Sequence, residues 1–322
     1  MDSLEHRLAE LEGAEAALVL ASGRAATAST ILALLRPGDH LLACTWMRPE
    51  TRDFFETELP ALGVEVTFTS PRDTRGWRRD LRKTTRALFL ESPVIENGRP
   101  VDLRPPRTLA QELGIALIVD ASLATPANST PLRHGADVVL HDASLLLDGD
   151  GVGGTGIVCG PEGVIDEVRR KMERWGAVPH PAARTSLACG LGTLAVRVER
   201  MNTTARQVAE WAWSAPGVQR VSYAGLSDDP DHGTAMEWMQ GAGPVLVINL
   251  VHPGSGPVAC HHVTAQLAPL LPGGAGVVTQ VRPVAPDGPL RVQVGLEDPA
   301  VIIAVLDTAL TAAVATAPQD HR

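Results

Sequence analysis

The stretch Val138–Gly154 reads VVLHDASLLLDGDGVGG. An apolar strand ends there in Leu140-His141-Asp142, and α/β folds place ligand chemistry at such strand ends. Beyond the strand come Ala143-Ser144 and then Leu145-Leu146-Leu147, which offer neither nucleophile nor base. Asp148 and Asp150, two apart among glycines, have the residue type of a calcium or magnesium loop. The other oxygen ligands of a known loop are missing, so the pair reads as a solvated turn. His261 and His262 are adjacent on an expected helix, where neighbours diverge by about 100°, and they read as helix surface. Cys189 needs a histidine base nearby to act as a nucleophile, and His180 is the nearest in sequence. No metal site is expected from these residues.

The elements that position these side chains alternate. AALVLAS (16–22) reads as a strand, and GRAATASTILALL as a helix opening at Gly23. Strands follow at HLLAC, VEVTFT, RALFLES, IALIVDAS, ADVVLHD and TGIVCG, with helices at RPETRDFFETELPAL and PRTLAQELG. This spacing predicts a mostly parallel sheet covered by helices. Asp2 to Leu11 has helical spacing at Leu4, Leu8 and Leu11, with Asp2 and Glu5 placed as a capping box. From Ser186 the texture changes. SLACGLGTLAVRVERMNTTARQVAEWAWSA reads as one long helix, followed by strands at PVLVINLV and LRVQVGLED, a helix at VACHHVTAQLAPLL, and a closing helix opening at Pro299. Two domains are expected, 1–185 and 186–322, the tail beyond the last helix being frayed.

Composition narrows the function. The 322 residues are 44% hydrophobic and 20% charged with a net charge of −9, which disfavours a nucleic-acid partner. No apolar run approaches the roughly 20 residues of a membrane span, and the acidic, amphipathic start is not a signal peptide. Four cysteines without metal-type pairing read as free thiols of a cytoplasmic protein.

Taken together, LEHRLAELEGAEAALVLASGRAA, LRPGDHLLA, FFETELPALGVEVTF, LFLESP, LIVDASLATP, LRHGADVVLHDAS, GLGTLAVRVERMN and LRVQVGLEDP resemble the Cys/Met-metabolism family of pyridoxal-phosphate (PLP) enzymes, the cystathionine γ-synthase and γ-lyase group. The resemblance implies the α/β PLP-transferase fold type I: a large domain with a mostly parallel sheet and a smaller α+β C-terminal domain. PLP chemistry uses a lysine amine, a phosphate cup, a carboxylate on the pyridine nitrogen and an aromatic on the ring. The family's Ser-Ala-Thr-Lys stretch falls here on Asp142-Ala143-Ser144-Leu145, so Leu145 stands at the lysine position and Asp142 at a phosphate-binding serine. Ser22 and Gly23 match the phosphate-binding turn, with Arg24 in place of its methionine. Arg48 falls on the stacking tyrosine, and Asp120 on the pyridine carboxylate. Arg291 matches the arginine that grips a substrate α-carboxylate, while the serine assisting it falls in Leu270–Pro272. Glu91 of FLES is retained as a structural residue. The family's N-terminal arm, which lends a tyrosine and an arginine to a neighbouring subunit, precedes the first residue of this sequence.

These departures lead to the expectation that conventional PLP catalysis is lost and that no cofactor is bound. The remnant pocket is Ser22, Gly23, Arg24, Asp120, Ser144 and Leu145, with an Arg24–Asp142 ion pair filling the phosphate cup. Arg291 and Arg48 are the expected ligand-binding residues, for an amino acid or other carboxylate. Asp120 and Asp142 are the weak catalytic candidates. If the chain is an enzyme, it is a lyase or transferase working without a lysine-bound PLP. The expected partners are a second copy or an intact paralogue, in a dimer or tetramer. The alternative is a C–S lyase or γ-substitution enzyme that holds PLP non-covalently.

Overall fold

The structure is a computed structural model describing residues 3–151, 153–251, 277–284 and 288–315. Cys260, His261, His262 and Leu270–Pro272 lie outside the described residues, as does the tail after 315.

The large unit begins with α1 (Ser3–Glu12), β1 (Ala16–Leu20), α2 (Gly23–Leu34), β2 (His40–Cys44) and α3 (Pro49–Asp53). The latter runs through a π-helical turn at Phe54–Glu58 into α4 (Leu59–Ala61). Then come β3 (Glu65–Thr69), α5 (Gly76–Arg79), β4 (Thr85–Glu91), α6 (Arg104–Leu113), β5 (Ala116–Asp120) and α7 (Thr125–Asn128). The series continues with β6 (Val138–Asp142), α8 (Ala143–Leu146), β7 (Gly156–Gly160) and α9 (Glu162–Trp175). The seven strands lie in the order β1-β7-β6-β5-β4-β2-β3, parallel except that β7 runs against both its neighbours. The mostly parallel sheet expected from the alternation is therefore observed.

Burial on both faces follows the period of two. In β1, Leu18 and Leu20 face the core shared with α2 and α9, while Ala17 and Val19 face α1 and Leu187. The single long helix expected from Ser186 is instead two, α10 (Pro181–Leu191) and α11 (Leu194–Ala212), broken at Gly192-Thr193. Packing demands glycine just before the break. A Cβ on Gly190 would stand 2.2 Å from the Asp148 carbonyl oxygen. The expected domain limit at 185/186 falls inside α10. The hydrophobic cores change over later, along α11: Val198 packs with the large sheet and Met201 with the C-terminal core.

That second core lies under a four-stranded antiparallel sheet, β8 (Val218–Ser222), β9 (Val245–Leu250), β10 (Gln280–Pro283) and β11 (Leu290–Gln293), in the order β10-β11-β9-β8. The same part of the chain carries helices α12 (His232–Trp238) and α13 (Pro299–Ala315). Among the described residues no helix is long and apolar enough to cross a membrane.

Candidate functional site

Three neighbouring parallel strands end in carboxylates: Glu91 on β4, Asp120 on β5 and Asp142 on β6. The register pairs Glu91 with Asp120, and Asp120 with Leu140 two residues short of Asp142. The strand ends thus gather three acids at one edge, where α/β sheets bind ligands. Negative charge on Asp120 and Asp142 in so buried a place requires a cation.

Arg48 supplies it. Its Nη1 donates to Asp142 Oδ2 at 2.9 Å, and its Nη2 lies 4.0 Å from Asp120 Oδ2. Its backbone N–H donates to Glu91 Oε2 at 2.9 Å. Burial works against the guanidinium's charge, but Asp120 and Asp142 outweigh it and hold its pKa above the ordinary range. Glu91 is fully buried beside Asp120, and its carboxyl is pushed up to about 8, burial being the main cause. Asp120 is also bonded by Ser122, whose N–H donates to Oδ1 at 3.0 Å and whose hydroxyl donates to the same oxygen.

Asp142 has a second role. Its Oδ1 accepts from the Ser144 hydroxyl at 2.6 Å and from the Ser144 N–H at 3.3 Å, capping α8. The carboxylate also lies against the first turn of α2. A Cβ on Gly23 would stand 2.6 Å from Asp142 Cβ and 2.9 Å from its Oδ2. Ser22 spends its hydroxyl as the N-cap of α2, accepting from Ala25 N–H at 3.1 Å. Ser22, Gly23, Arg24, Arg48, Asp142 and Ser144 line one cavity of about 230 Å³.

The expected Arg24–Asp142 ion pair is absent. Arg24 is exposed at the cavity, and Arg48 takes its place against Asp142. Leu145 is partly buried against the C-terminal core, to which Leu146 also belongs, while Leu147 packs into the core under α1. The three leucines thus join two cores. Arg197 fixes this turn, donating to the carbonyls of Leu146 at 2.6 Å, Leu147 at 3.2 Å and Gly190 at 2.9 Å.

Arg291 lies apart from that cavity's lining. It is 3% exposed, with Nε donating to Ile95 O at 3.0 Å and Nη2 to Gln293 Oε1 at 2.8 Å. Burial lowers its pKa to about 10. Asp148 is buried rather than solvated, and its two oxygens accept from the N–H groups of Gly151 and Gly153. Among the described residues no group of acids, histidines or cysteines is arranged to hold a metal. Cys189 is exposed, and His180 caps α10 by accepting from Ala182 N–H at 3.2 Å. The sequence reading missed the part Glu91 plays. Its signal was present: FLES puts an acid at the end of an apolar strand, as IVD does with Asp120.

A family model described as "Cys/Met metabolism PLP-dependent enzyme" matches residues 1–259. The chain is 36% identical over 244 residues to cystathionine gamma-synthase 1, chloroplastic, of Nicotiana tabacum, covering 76% of this chain and 45% of that protein. It is 34% identical to O-succinylhomoserine sulfhydrylase of Pseudomonas aeruginosa over 76% of this chain and 60% of that one. L-methionine gamma-lyase of Pseudomonas putida is 32% identical, over 78% and 63%. The chain thus spans about half to three-fifths of the length of these curated relatives. A crystal structure of a Campylobacter jejuni protein assigned as O-acetylhomoserine (thiol)-lyase superposes with a TM-score of 0.89 at 23% identity, covering 96% of this chain and 85% of that one, which establishes the fold. That structure contains N'-pyridoxyl-lysine-5'-monophosphate.

These matches correct the expectation of no cofactor: the matched family is PLP-dependent, so PLP is the cofactor to be reckoned with. The side chains present do not fit a lysine-bound PLP. Leu145 has no amine, and the chain's two lysines lie elsewhere: Lys83 precedes β4, and Lys171 is on α9 over the Trp175 ring. Arg48 engages both Asp120 and Asp142, and the Asp142 carboxylate covers Gly23, where the resemblance placed the phosphate.

Proposed function

Because the chain belongs to the Cys/Met metabolism PLP-dependent enzyme family, we propose that it is a member that does not carry out the family's lysine-dependent catalysis by itself. It serves instead as a non-catalytic subunit that assembles with a lysine-bearing relative. The observation that carries this reading is the Arg48 guanidinium held between Asp120 and Asp142, with Leu145 at the lysine position. A leucine side chain cannot form a Schiff base or move a proton. An arginine hydrogen-bonded to one largely buried carboxylate and ion-paired with a second costs several kcal/mol to pull away from them.

The test has two arms. The purified chain is incubated with PLP, reduced with borohydride and analysed by mass spectrometry for a pyridoxyl-lysine, then assayed on cysteine, homocysteine and O-acylhomoserine derivatives. No site-specific adduct and no turnover are expected. The chain is then co-expressed with a lysine-bearing paralogue from the same genome, and a stable mixed oligomer is expected. Turnover by the chain alone, or failure to assemble, overturns the reading.

A second reading takes support from Asp120, which by the resemblance falls on the pyridine carboxylate and lies 4.0 Å from Arg48, a residue lining the 230 Å³ cavity. Here PLP is held non-covalently, once Arg48 turns away, in a C–S lyase or γ-substitution enzyme. Saturable PLP binding without an adduct, together with turnover, selects this reading over the first.

A further inference from the structure

The two carboxyl oxygens of Glu91, at the end of β4, hold two different pieces of chain. Oε2 accepts from the backbone N–H of Arg48 at 2.9 Å, and Oε1 from that of Ile95 at 2.5 Å. Arg48 is thereby pinned at both ends, its N–H on Glu91 and its guanidinium on Asp142. Pro49 follows it and restricts its backbone to the extended conformation it has, with φ −60° and ψ 146°.

Ile95 is pinned by both of its backbone polar groups. Its N–H is on Glu91, and its carbonyl accepts from Arg291 Nε at 3.0 Å. The residues that follow are fastened to the C-terminal sheet and to α12. Glu96 pairs with Arg282 of β10 at 2.6 Å, and Arg99 with Asp231, the residue before α12, at 2.5 Å. A Cβ on Gly98 would stand 2.6 Å from the Val245 carbonyl oxygen of β9. Val94 packs with Leu88 and Leu90 of the large sheet, whereas Ile95 belongs to the C-terminal core. Residues 92–99 are thus a strap between the two cores, and Glu91 stands at its root.

A continuous line of hydrogen bonds therefore runs from Asp142 through Arg48, Glu91 and Ile95 to Arg291. A buried donor or acceptor left without its partner costs about 1–3 kcal/mol. The links are expensive to break singly, so a displacement at one end is passed along rather than absorbed. The line joins the cation of the strand-end cavity to the buried arginine of β11. The geometry points to Glu91 as a positioning residue that couples Arg48 to Arg291. A ligand that draws Arg48 off Asp142 moves the Glu91 carboxyl, carries Ile95 with it and loosens the Ile95 carbonyl's hold on Arg291. Engagement of the strand-end cavity is in this way felt in the C-terminal sheet.

The test follows the Ile95 amide and the Arg291 Nε–H of the full chain by 15N NMR, in resonance position and in hydrogen exchange relative to the Leu88 amide of the same strand β4. Arg48→Met is expected to shift both signals and to speed their exchange at least about threefold over that of Leu88. Asp142→Asn acts in the same direction and decides the matter if Arg48→Met fails to fold. In a Glu91→Ala background neither substitution adds a change at Arg291. Glu91→Gln, with one acceptor oxygen for two N–H groups, replaces the alanine variant if that does not fold and weakens the transmission. Arg86→Gln, at the far end of β4, leaves both signals in place. A merely structural Glu91 lowers stability but does not make the response of Arg291 to Arg48 depend on it. Signals unmoved by Arg48→Met and Asp142→Asn overturn the inference. So do an undiminished response in the Glu91 variants and an equal response to Arg86→Gln.

Discussion

Arg48 Nη1 donates to Asp142 Oδ2 at 2.9 Å, a side-chain pair that joins the loop after β2 to the end of β6. The arginine comes from the residue before α3 and the aspartate from the cap of α8, 94 positions apart. The pair therefore couples the loop after β2 to the leucine turn, Asp120 lies within ion-pair reach of the same guanidinium, and Glu91 accepts from the Arg48 backbone N–H.

Removing the cation leaves the acids in place. Arg48→Met leaves Asp120 and Asp142 facing each other with little solvent, a loss worth about 3–5 kcal/mol when one partner of a buried pair is deleted. The expected outcome in urea unfolding at neutral pH is a midpoint well below that of the parent. Adding Asp142→Asn to Arg48→Met restores part of the loss, because one uncompensated charge goes with it. A double variant no more stable than Arg48→Met alone would show that the pair is not the coupled unit described.

Restoring a lysine alone is expected to be insufficient for covalent PLP. Leu145→Lys places an amine beside a pocket whose cation site is filled by Arg48 and whose α2 terminus is covered by Asp142. The single variant is expected to give little borohydride-fixed pyridoxyl-lysine. The combination Leu145→Lys, Asp142→Ser and Arg48→Tyr is expected to give a stoichiometric adduct at residue 145, located by peptide mass mapping. An efficient adduct in the single variant would mean that Arg48 and Asp142 do not obstruct the cofactor.

The positions of these residues were legible in the sequence; their partners were not. Strand alternation put Asp120 and Asp142 at strand ends, where the structure has them. Which arginine meets Asp142 depends on how α2 and α3 sit over the sheet, and sequence proximity to a phosphate turn pointed to Arg24 instead of Arg48. Glu5 read as a local capping residue with Asp2, which lies outside the described residues. It folds inward to Val19, 14 positions on, a contact no local pattern encodes. The break between α10 and α11 was hidden because the run stays apolar through Gly190 and Gly192. What Gly190 serves is the close approach of the Asp148 carbonyl, a tertiary fact.

Arg197 should prove as costly to lose as Arg48, for another reason. Its guanidinium serves the carbonyls of Leu146, Leu147 and Gly190, and its Nε donates to Thr193 Oγ1 at 3.0 Å. Arg197→Met keeps much of the apolar stem but orphans the acceptors, each costing about 1–3 kcal/mol if left buried and unpaired. Faster hydrogen exchange at 143–151 and 187–194 is expected. Unchanged exchange in both segments would remove the clamp role.

Glu91 is expected to make the fold less stable as pH rises. Its carboxyl, near 4.5 when unfolded, is pushed up to about 8 by burial and by Asp120. Between these values the folded chain holds the extra proton, so the contribution present below about 4.5 is lost as pH climbs through 8. Glu91→Gln carries no such proton. Its denaturation midpoint should vary less with pH between 5 and 8 than the parent's, whatever its absolute stability; an identical slope would place the titration elsewhere.

His40 imposes the opposite slope on the acid side. The ring is fully buried between two hydroxyls, with Nδ1 2.8 Å from Thr85 Oγ1 and Nε2 2.9 Å from Thr67 Oγ1. A neutral imidazole donates to one and accepts from the other, whereas an imidazolium has two donors and no acceptor. Burial, with Arg82 nearby, lowers its pKa from 6.5 to about 4. The unfolded chain therefore binds a proton between these values that the folded chain refuses. Stability present above about 6.5 is lost as pH falls towards 4, by up to about 3 kcal/mol at roughly 1.4 kcal/mol for each pH unit. His40→Gln can keep one donor and one acceptor for the two threonines without titrating. Urea midpoints measured from pH 7 to 4 should fall more steeply for the parent than for His40→Gln, and NMR titration of the parent should show no His40 protonation near pH 6. Protonation of that ring near its ordinary pKa in the folded chain would defeat the prediction.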